Sequence, residues 1–137
     1  METAKQLLLV EDDKVDALTI TRMLEEKKFD FTVTHVTNGE EALNYLRDAT
    51  NILPSLILLD LNMPRMNGLE LLEKVKADQR LDRIPVIVLS TSQEDHDVTK
   101  AFTHGIAGYM VKPIFYDQFF RLIDVVTKYW SLTRLPN

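Results

Sequence analysis

Four short stretches place residues capable of chemistry directly behind apolar runs. LLLV is followed by Glu11, Asp12 and Asp13, LILL by Asp60, VIVL by Ser90, Thr91 and Ser92, and YMV by Lys112. A carboxylate at the end of a buried run is costly unless it is paired. Several carboxylates brought together raise one another's pKa unless a cation sits among them. A hard divalent ion with oxygen ligands, Mg²⁺ before others, meets that need while keeping several of its waters. Lys112 adds a fixed ammonium and Ser90 a hydroxyl. A carboxylate, Mg²⁺, an ammonium and a hydroxyl together can stabilise charge on a transferring phosphoryl group. The carboxylate can also be the nucleophile, which yields an aspartyl phosphate.

Such a site forms only if the four stretches meet, and the order of elements predicts that they do. Apolar β-type runs occur at 6–10, 31–36, 56–59, 85–89 and 108–111, with helical spacing between them. Three of the runs are continuously apolar, the pattern of strands covered on both faces by helices, and therefore of a parallel sheet. A chain of five strand–helix units with right-handed crossovers predicts an open, doubly wound α/β sheet, because a closed barrel needs roughly 200 residues or more. All strand carboxyl ends then lie along one edge, where open α/β sheets bind their ligands. Helix starts are signalled by Asn38 with Glu41, Asn67 with Glu70 and, more weakly, Ser92 with Asp95, each a side-chain cap followed three residues on by an acid. The expected inward faces are Ala17, Ile20 and Leu24; then Ala42, Leu43 and Leu46; in the third helix Leu69, Leu72, Val75 and Lys76 bracket the buried side. Taken singly, Asp12 and Asp13 are ordinary caps for the first helix and Lys112 an ordinary lysine at a strand exit. Their joint occurrence at one edge favours a site.

Taken together, LLLVEDD, LLDLNMPRMNG, VIVLSTS and GYMVKP resemble the receiver domain of bacterial two-component response regulators, over essentially Gln6 to Trp130. The resemblance implies a flavodoxin-like fold with strand order 2-1-3-4-5. It implies that Asp60 accepts a phosphoryl group from a phosphohistidine on a sensor histidine kinase or phosphotransfer protein. Glu11, Asp12 and Asp60 match the Mg²⁺ site, with Asp12 the more direct ligand, Glu11 acting through water, and Asn62 offering its backbone carbonyl. Ser90 and Lys112 match the residues that meet the phosphoryl oxygens, and Tyr109 the aromatic switch that moves inward as the hydroxyl turns. Pro113 matches a Lys-Pro peptide that is often cis. Positions 62 and 92 tune attack of water on the acyl phosphate in this family; Asn62 and Ser92 are uncharged and offer no strong acid–base assistance. The output face would be the fourth helix, fifth strand and fifth helix.

Composition narrows the remaining classes. The chain has 137 residues, 45% apolar and 27% charged, which suits one globular domain. The expected organisation is a short extension over 1–5, a receiver over 6–130, and a tail over 131–137 too short for an output domain. The absence of cysteine excludes a disulfide framework and thiol chemistry. A net charge of −5 with 16 scattered Lys and Arg argues against nucleic-acid binding. No signal peptide or membrane-length apolar run is present, so the expected location is the cytoplasm. With four glycines there is neither a dinucleotide turn nor a P-loop. A phosphohydrolase of the haloacid dehalogenase type would use Asp60 similarly, but carries a second Asp where this chain has Asn62. A pseudo-receiver that only binds proteins is disfavoured by the complete site. The reading is thus a phosphoacceptor switch that catalyses only its own phosphorylation and dephosphorylation.

The last helix carries more apolar surface than a sheet needs. Phe115, Phe119, Leu122, Ile123, Val126 and Trp130 share a face, widened by Tyr116, Phe120, Val125 and Tyr129 to an arc of roughly 220°. Asp117, Arg121, Asp124 and Lys128 mark the wet side. The surplus suggests a downstream protein target or a homodimer through this face. On the first helix, Val15 and Leu18 lie away from the inward face and suit a kinase contact. Details such as IPVIVLSTS, YDQFF and YW loosely resemble single-domain receivers paired with phytochrome-like histidine kinases.

Overall fold

The computed structural model describes residues 5–26, 31–63, 65–112 and 116–134, with Phe31, Tyr116 and Ser131 described in backbone only. Strand and helix alternate: β1 (Lys5–Val10), α1 (Lys14–Glu26), β2 (Phe31–Val36), α2 (Gly39–Arg47), β3 (Leu56–Leu59), α3 (Gly68–Lys76), β4 (Val86–Ser90), α4 (Asp95–Thr103), β5 (Gly108–Val111) and α5 (Tyr116–Leu132). All pairings are parallel and the order is β2-β1-β3-β4-β5. This is the flavodoxin-like arrangement expected from the sequence. The chain leaves β1 towards β2 and later returns on its other side as β3, which makes the β1/β3 end the switch point where such sheets bind ligands.

The continuously apolar strands alternate between two layers. Leu8, Val10, Ile57, Leu59, Val86 and Val88 pack with Ala42, Leu46, Leu71, Leu72 and Val75 of α2 and α3. Leu7, Leu9, Leu56, Leu58, Ile87 and Leu89 pack with Ala17, Ile20 and Leu24 of α1 and with Phe119, Ile123, Val126 and Trp130 of α5. Each such side chain gains ~1.5–3 kcal/mol on burial, and because both faces gain it, register is fixed from either side.

Two predicted caps are present. Asn38 Oδ1 accepts from Glu41 N at 2.9 Å and Asn67 Oδ1 from Glu70 N at 3.0 Å. Asp13 caps α1, its Oδ1 accepting from Val15 N and Asp16 N, so the ordinary reading holds for that acid. The Ser92–Asp95 cap is not formed: α4 is capped by the backbone of Glu94, with no side-chain bond. Ser92 Oγ instead donates to Asp97 Oδ2 at 2.6 Å and accepts from Glu94 N at 3.3 Å, because the helix N-cap lies two residues beyond Ser92 and a hydroxyl can donate and accept at once. On α3 the buried face is Gly68, Leu71, Leu72 and Val75, with Leu69 and Lys76 half-buried at its margins. Leu71 was missed because its 100° step from Leu72 places both on the sheet side.

Two glycines set how closely α2 and α3 approach the strand ends. A Cβ on Gly68 would lie 2.5 Å from the Asp60 carbonyl oxygen and 2.6 Å from Leu61 Cα. A Cβ on Gly39 would lie 2.5 Å from the Met66 carbonyl oxygen, which accepts from Gly39 N at 3.0 Å. Between them Arg65 holds a positive φ of 63°, a conformation unusual outside glycine. The loop after β3 is thereby pressed against both helix starts.

Candidate functional site

The ladders of hydrogen bonds run one residue past the strands. Glu11 N donates to Val36 O, Asp60 N to Val10 O at 3.0 Å, and Lys112 N to Ser90 O at 2.7 Å. The chemistry-bearing residues are therefore positioned by sheet register and not by loop conformation. Glu11, Asp60 and Ser90 are buried, at 1%, 6% and 0% exposure, and the Lys112 side chain is equally enclosed. Asp12 is exposed at the mouth.

The electrostatics of this cluster are unbalanced. Lys112 Nζ lies 2.5 Å from Glu11 Oε1, 2.9 Å from Asp16 Oδ2 and 3.8 Å from Asp60 Oδ2. One ammonium thus faces three carboxyls, with Asp12 adding a fourth nearby. Burial pushes the Glu11 carboxyl up to about 8; Lys112 pulls against this and the adjacent Asp60 reinforces it. Burial also raises Asp60, opposed by Glu11, the Lys112 charge and the Asn62 amide. Lys112 is held above the ordinary lysine range: burial lowers it, but the carboxylates of Glu11, Asp16 and Asp60 outweigh that. The cluster lacks positive charge.

The donor set states what would supply it. One oxygen from each of Glu11, Asp12 and Asp60 lies within 4.8 Å of the others. An all-oxygen set, open to water at Asp12 and carrying excess negative charge, fits a hard divalent cation such as Mg²⁺ or Mn²⁺.

Around the carboxylates stand the expected neutral groups. Asn62 N donates to Asp60 Oδ1 at 3.2 Å, and Asn62 Nδ2 lies 3.5 Å from Ser90 Oγ. Ser90 Oγ accepts from Ser92 N at 3.1 Å. The Tyr109 hydroxyl, on a half-buried ring, donates to Ser92 O at 2.9 Å. Thr91 points to solvent. Three residues that the sequence reading passed over belong here. Asp16, one helical turn beyond Asp12, reaches Lys112; that spacing was its available signal. His35 Nε2 lies 2.7 Å from the Glu11 carbonyl oxygen. Asp97 holds Ser92, and nothing in its spacing announces this.

The arrangement matches known proteins over most of the chain. The family model for the response regulator receiver domain matches residues 7–124. The chain belongs to the response regulator receiver family. Among curated relatives, the probable methanogenesis regulatory protein FilR2 of Methanothrix harundinacea is 35% identical over 127 residues, which span 90% of this chain and 82% of the relative. Response regulator Rcp1 of Synechocystis is 32% identical over 133 residues, 94% of this chain and 90% of the relative. The crystal structure of the Mn²⁺-bound form of Rcp1 superposes with a TM-score of 0.93 at 31% identity, covering 97% of this chain and 99% of that one. The phosphorylated cyanobacterial phytochrome response regulator RcpA gives 0.92 at 37% identity with the same coverage. The receiver is a phosphoacceptor domain and not a conventional enzyme. Among its described residues no helix is long and apolar enough to cross a membrane.

The proposed partner surfaces of this receiver divide. Val15 and Leu18 on α1 are exposed, at 73% and 51%. On α5, Val125 and Tyr129 are exposed, whereas Phe120 is half-buried against the α1/α5 layer and contributes mainly to the core. Lys128 and Asp124 pair at 3.0 Å on the polar side. The Tyr116 side chain, Phe115, Pro64 and the Lys112–Pro113 bond lie outside the described residues.

Proposed function

We propose that Asp60 accepts a phosphoryl group from a phosphohistidine of a sensor histidine kinase or a phosphotransfer protein, in a Mg²⁺-dependent reaction within the cytoplasm. The observation that carries this reading is the buried carboxyl of Asp60 set between Glu11, Asp12 and Lys112. In the reaction an Asp60 carboxylate oxygen forms the bond to phosphorus as the phosphorus–nitrogen bond breaks, and the imidazole leaves. Mg²⁺, held by Glu11, Asp12, Asp60 and the Asn62 carbonyl, would supply positive charge to the phosphoryl oxygens. Lys112 donates to one phosphoryl oxygen, exchanging part of its contact with Glu11 for the new charge. The Ser90 hydroxyl donates to another. The Asn62 amide orients the carboxylate for attack. The added dianion is then the switch signal, because it competes for Ser90 and Lys112.

The phosphorylated state would be read through the face of α4, β5 and α5, with Tyr109 following Ser90. Val125 and Tyr129 would contact a downstream protein or a second copy of the receiver, and Val15 and Leu18 the kinase. The relatedness to a phytochrome response regulator supports a phytochrome-like kinase as the phosphodonor. Uncharged Asn62 and Ser92 would leave hydrolysis of the acyl phosphate without an added acid or base, which favours a long-lived signal.

The test is incubation with acetyl phosphate, with and without Mg²⁺, followed by intact mass. The expected result is a one-phosphoryl adduct that requires Mg²⁺ and is lost in Asp60→Asn. An adduct that persists in Asp60→Asn would sink the assignment.

A further inference from the structure

All three polar groups of Ser92 are committed. Its amide donates to Ser90 Oγ at 3.1 Å, its hydroxyl to Asp97 Oδ2 at 2.6 Å, and its carbonyl accepts the Tyr109 hydroxyl at 2.9 Å. A serine oxygen has two lone pairs and one proton. With Ser92 N on one lone pair of Ser90 and Asn62 Nδ2 at 3.5 Å near the other, the direction left to the Ser90 proton is set by its neighbours. Whatever fixes Ser92 therefore aims Ser90.

The second observation concerns α4. Among the described residues of this helix only Ala101 is buried, whereas α1, α2 and α3 each bury four. Its N-cap residue, Glu94, makes no side-chain cap bond, and the Glu94 amide itself donates to Ser92 Oγ at 3.3 Å. A helix so lightly packed depends more than its neighbours on individual polar bonds. The Asp97–Ser92 bond joins its first turn to the strand end that carries Ser90.

We propose that Asp97 is a positioning residue of the phosphoacceptor site: by holding the Ser92 hydroxyl it aims Ser90 at the phosphoryl group on Asp60 and couples that aim to the placement of α4. The proposal rests on the phosphoacceptor reading above and adds its regulation. A partner that grips α4 would alter the phosphoryl chemistry through this bond, and phosphorylation would alter α4 in return, since such coupling is reciprocal. The rival is that Asp97 acts only as a negative charge near the phosphoryl dianion.

The experiment compares wild type, Asp97→Ala, Asp97→Asn, Ser92→Ala and the Asp97→Ala/Ser92→Ala double variant. Two rates are read with acetyl phosphate and Mg²⁺, adduct formation and adduct loss by intact mass, and amide shifts of residues 90 and 92 are recorded without phosphodonor. Asp97→Ala and Ser92→Ala are each expected to slow adduct formation about 3- to 10-fold, the size of one lost hydrogen bond. The double variant should be no slower than either single one. Asp97→Asn should retain the wild-type rate and shifts, because its amide oxygen still accepts from Ser92. An Asn variant as slow as the Ala variant would overturn the positioning role in favour of charge. Additive losses, or unchanged rates in folded single variants, would overturn it outright. If wild type itself forms no adduct, the phosphoacceptor reading fails; the positional link would then be judged by the amide shifts, which must move in Asp97→Ala and stay in Asp97→Asn.

Discussion

The two edges of the sheet each carry a hollow, and the hollows are of similar size. At the amino-terminal edge, about 370 Å³ lies between Leu53, Pro54, Ser55, Arg80, Arg83 and Ile84. At the carboxyl-terminal edge, about 420 Å³ lies between Leu61, Asn62, Met63, Asn67, Leu69 and Asp97. Volume does not separate them. At the first edge the charges are exposed arginines, one of which caps α2 by donating from Arg80 Nη1 to Leu46 O at 3.1 Å. At the second edge Glu11, Asp60 and Lys112 are withdrawn from water and face one another. Solvated charges interact weakly, whereas desolvated ones have shifted pKa values and strong fields. Chemistry belongs to the edge where charge has been buried without being balanced.

The comparison is tested most severely at Lys112. Replacing it by alanine leaves Glu11, Asp16 and Asp60 without their shared cation. Adduct formation with acetyl phosphate is expected to slow ~10²-fold, and metal-free stability in urea titrations to fall by ~3 kcal/mol at pH 8. The stability loss should shrink at pH 6, where the carboxyls can take protons. An unchanged phosphorylation rate would remove the basis for treating this edge as special.

Gly68→Ala should follow in size. Its Cβ would press on the Asp60 carbonyl and Leu61, costing ~1–3 kcal/mol of stability and displacing the acceptor, so phosphorylation should slow while the amino-terminal edge is untouched. Equal stability to wild type by denaturant unfolding would contradict the tight approach described here.

The pH dependence should come next. Glu11 ordinarily titrates near 4.5 and in the folded chain near 8, and Asp60 is shifted in the same direction. Between those values the native state binds more protons than the unfolded one, so metal-free stability should decline as pH rises from about 4.5 through about 8. Mg²⁺ needs the carboxylates deprotonated, so its stabilising effect should grow over the same window. Thermal melts across this range, with and without Mg²⁺, would refute the buried-acid account if the two sets ran parallel.

The smallest effects are expected at the amino-terminal edge. Arg80→Ala should cost ~1 kcal/mol through the lost bond to Leu46 O, Arg83→Ala less, and neither should change phosphorylation. A threefold or larger change in either rate would show that the two edges are coupled.

Much of this site is legible in the sequence. Asp60 after LILL and the acids after LLLV declare themselves because a strand covered on both faces tolerates no charge, so the first polar residue marks its end; Lys112 after YMV follows the half-buried edge strand β5 and is marked by its place in the order of elements. Asn38 and Asn67 were legible as caps because their partners lie three residues away. Ser92 misled for the complementary reason: its carboxylate partner is two positions beyond the expected Asp95, because α4 begins later than the spacing predicts, with Glu94 as its N-cap. Leu71 is buried and Phe120 half-buried, which the sequence did not show because the angular width of a buried face depends on how deeply the helix sits on the sheet.

What the sequence by itself determined is the alternation of elements, the two-sided burial of the apolar runs of β1, β3 and β4 and the identities of the residues at the strand carboxyl ends, because these follow from local periodicity and the cost of burying charge. Only the tertiary structure decided which side chains meet: that Lys112 spans Glu11, Asp16 and Asp60, that burial pushes the Glu11 carboxyl up to about 8, and that Asp97 holds Ser92, whose amide meets Ser90 at the end of β4. The Lys112 contacts join positions far apart in the chain, and the strength of all of these contacts depends on how completely neighbouring elements exclude solvent, which no local pattern encodes.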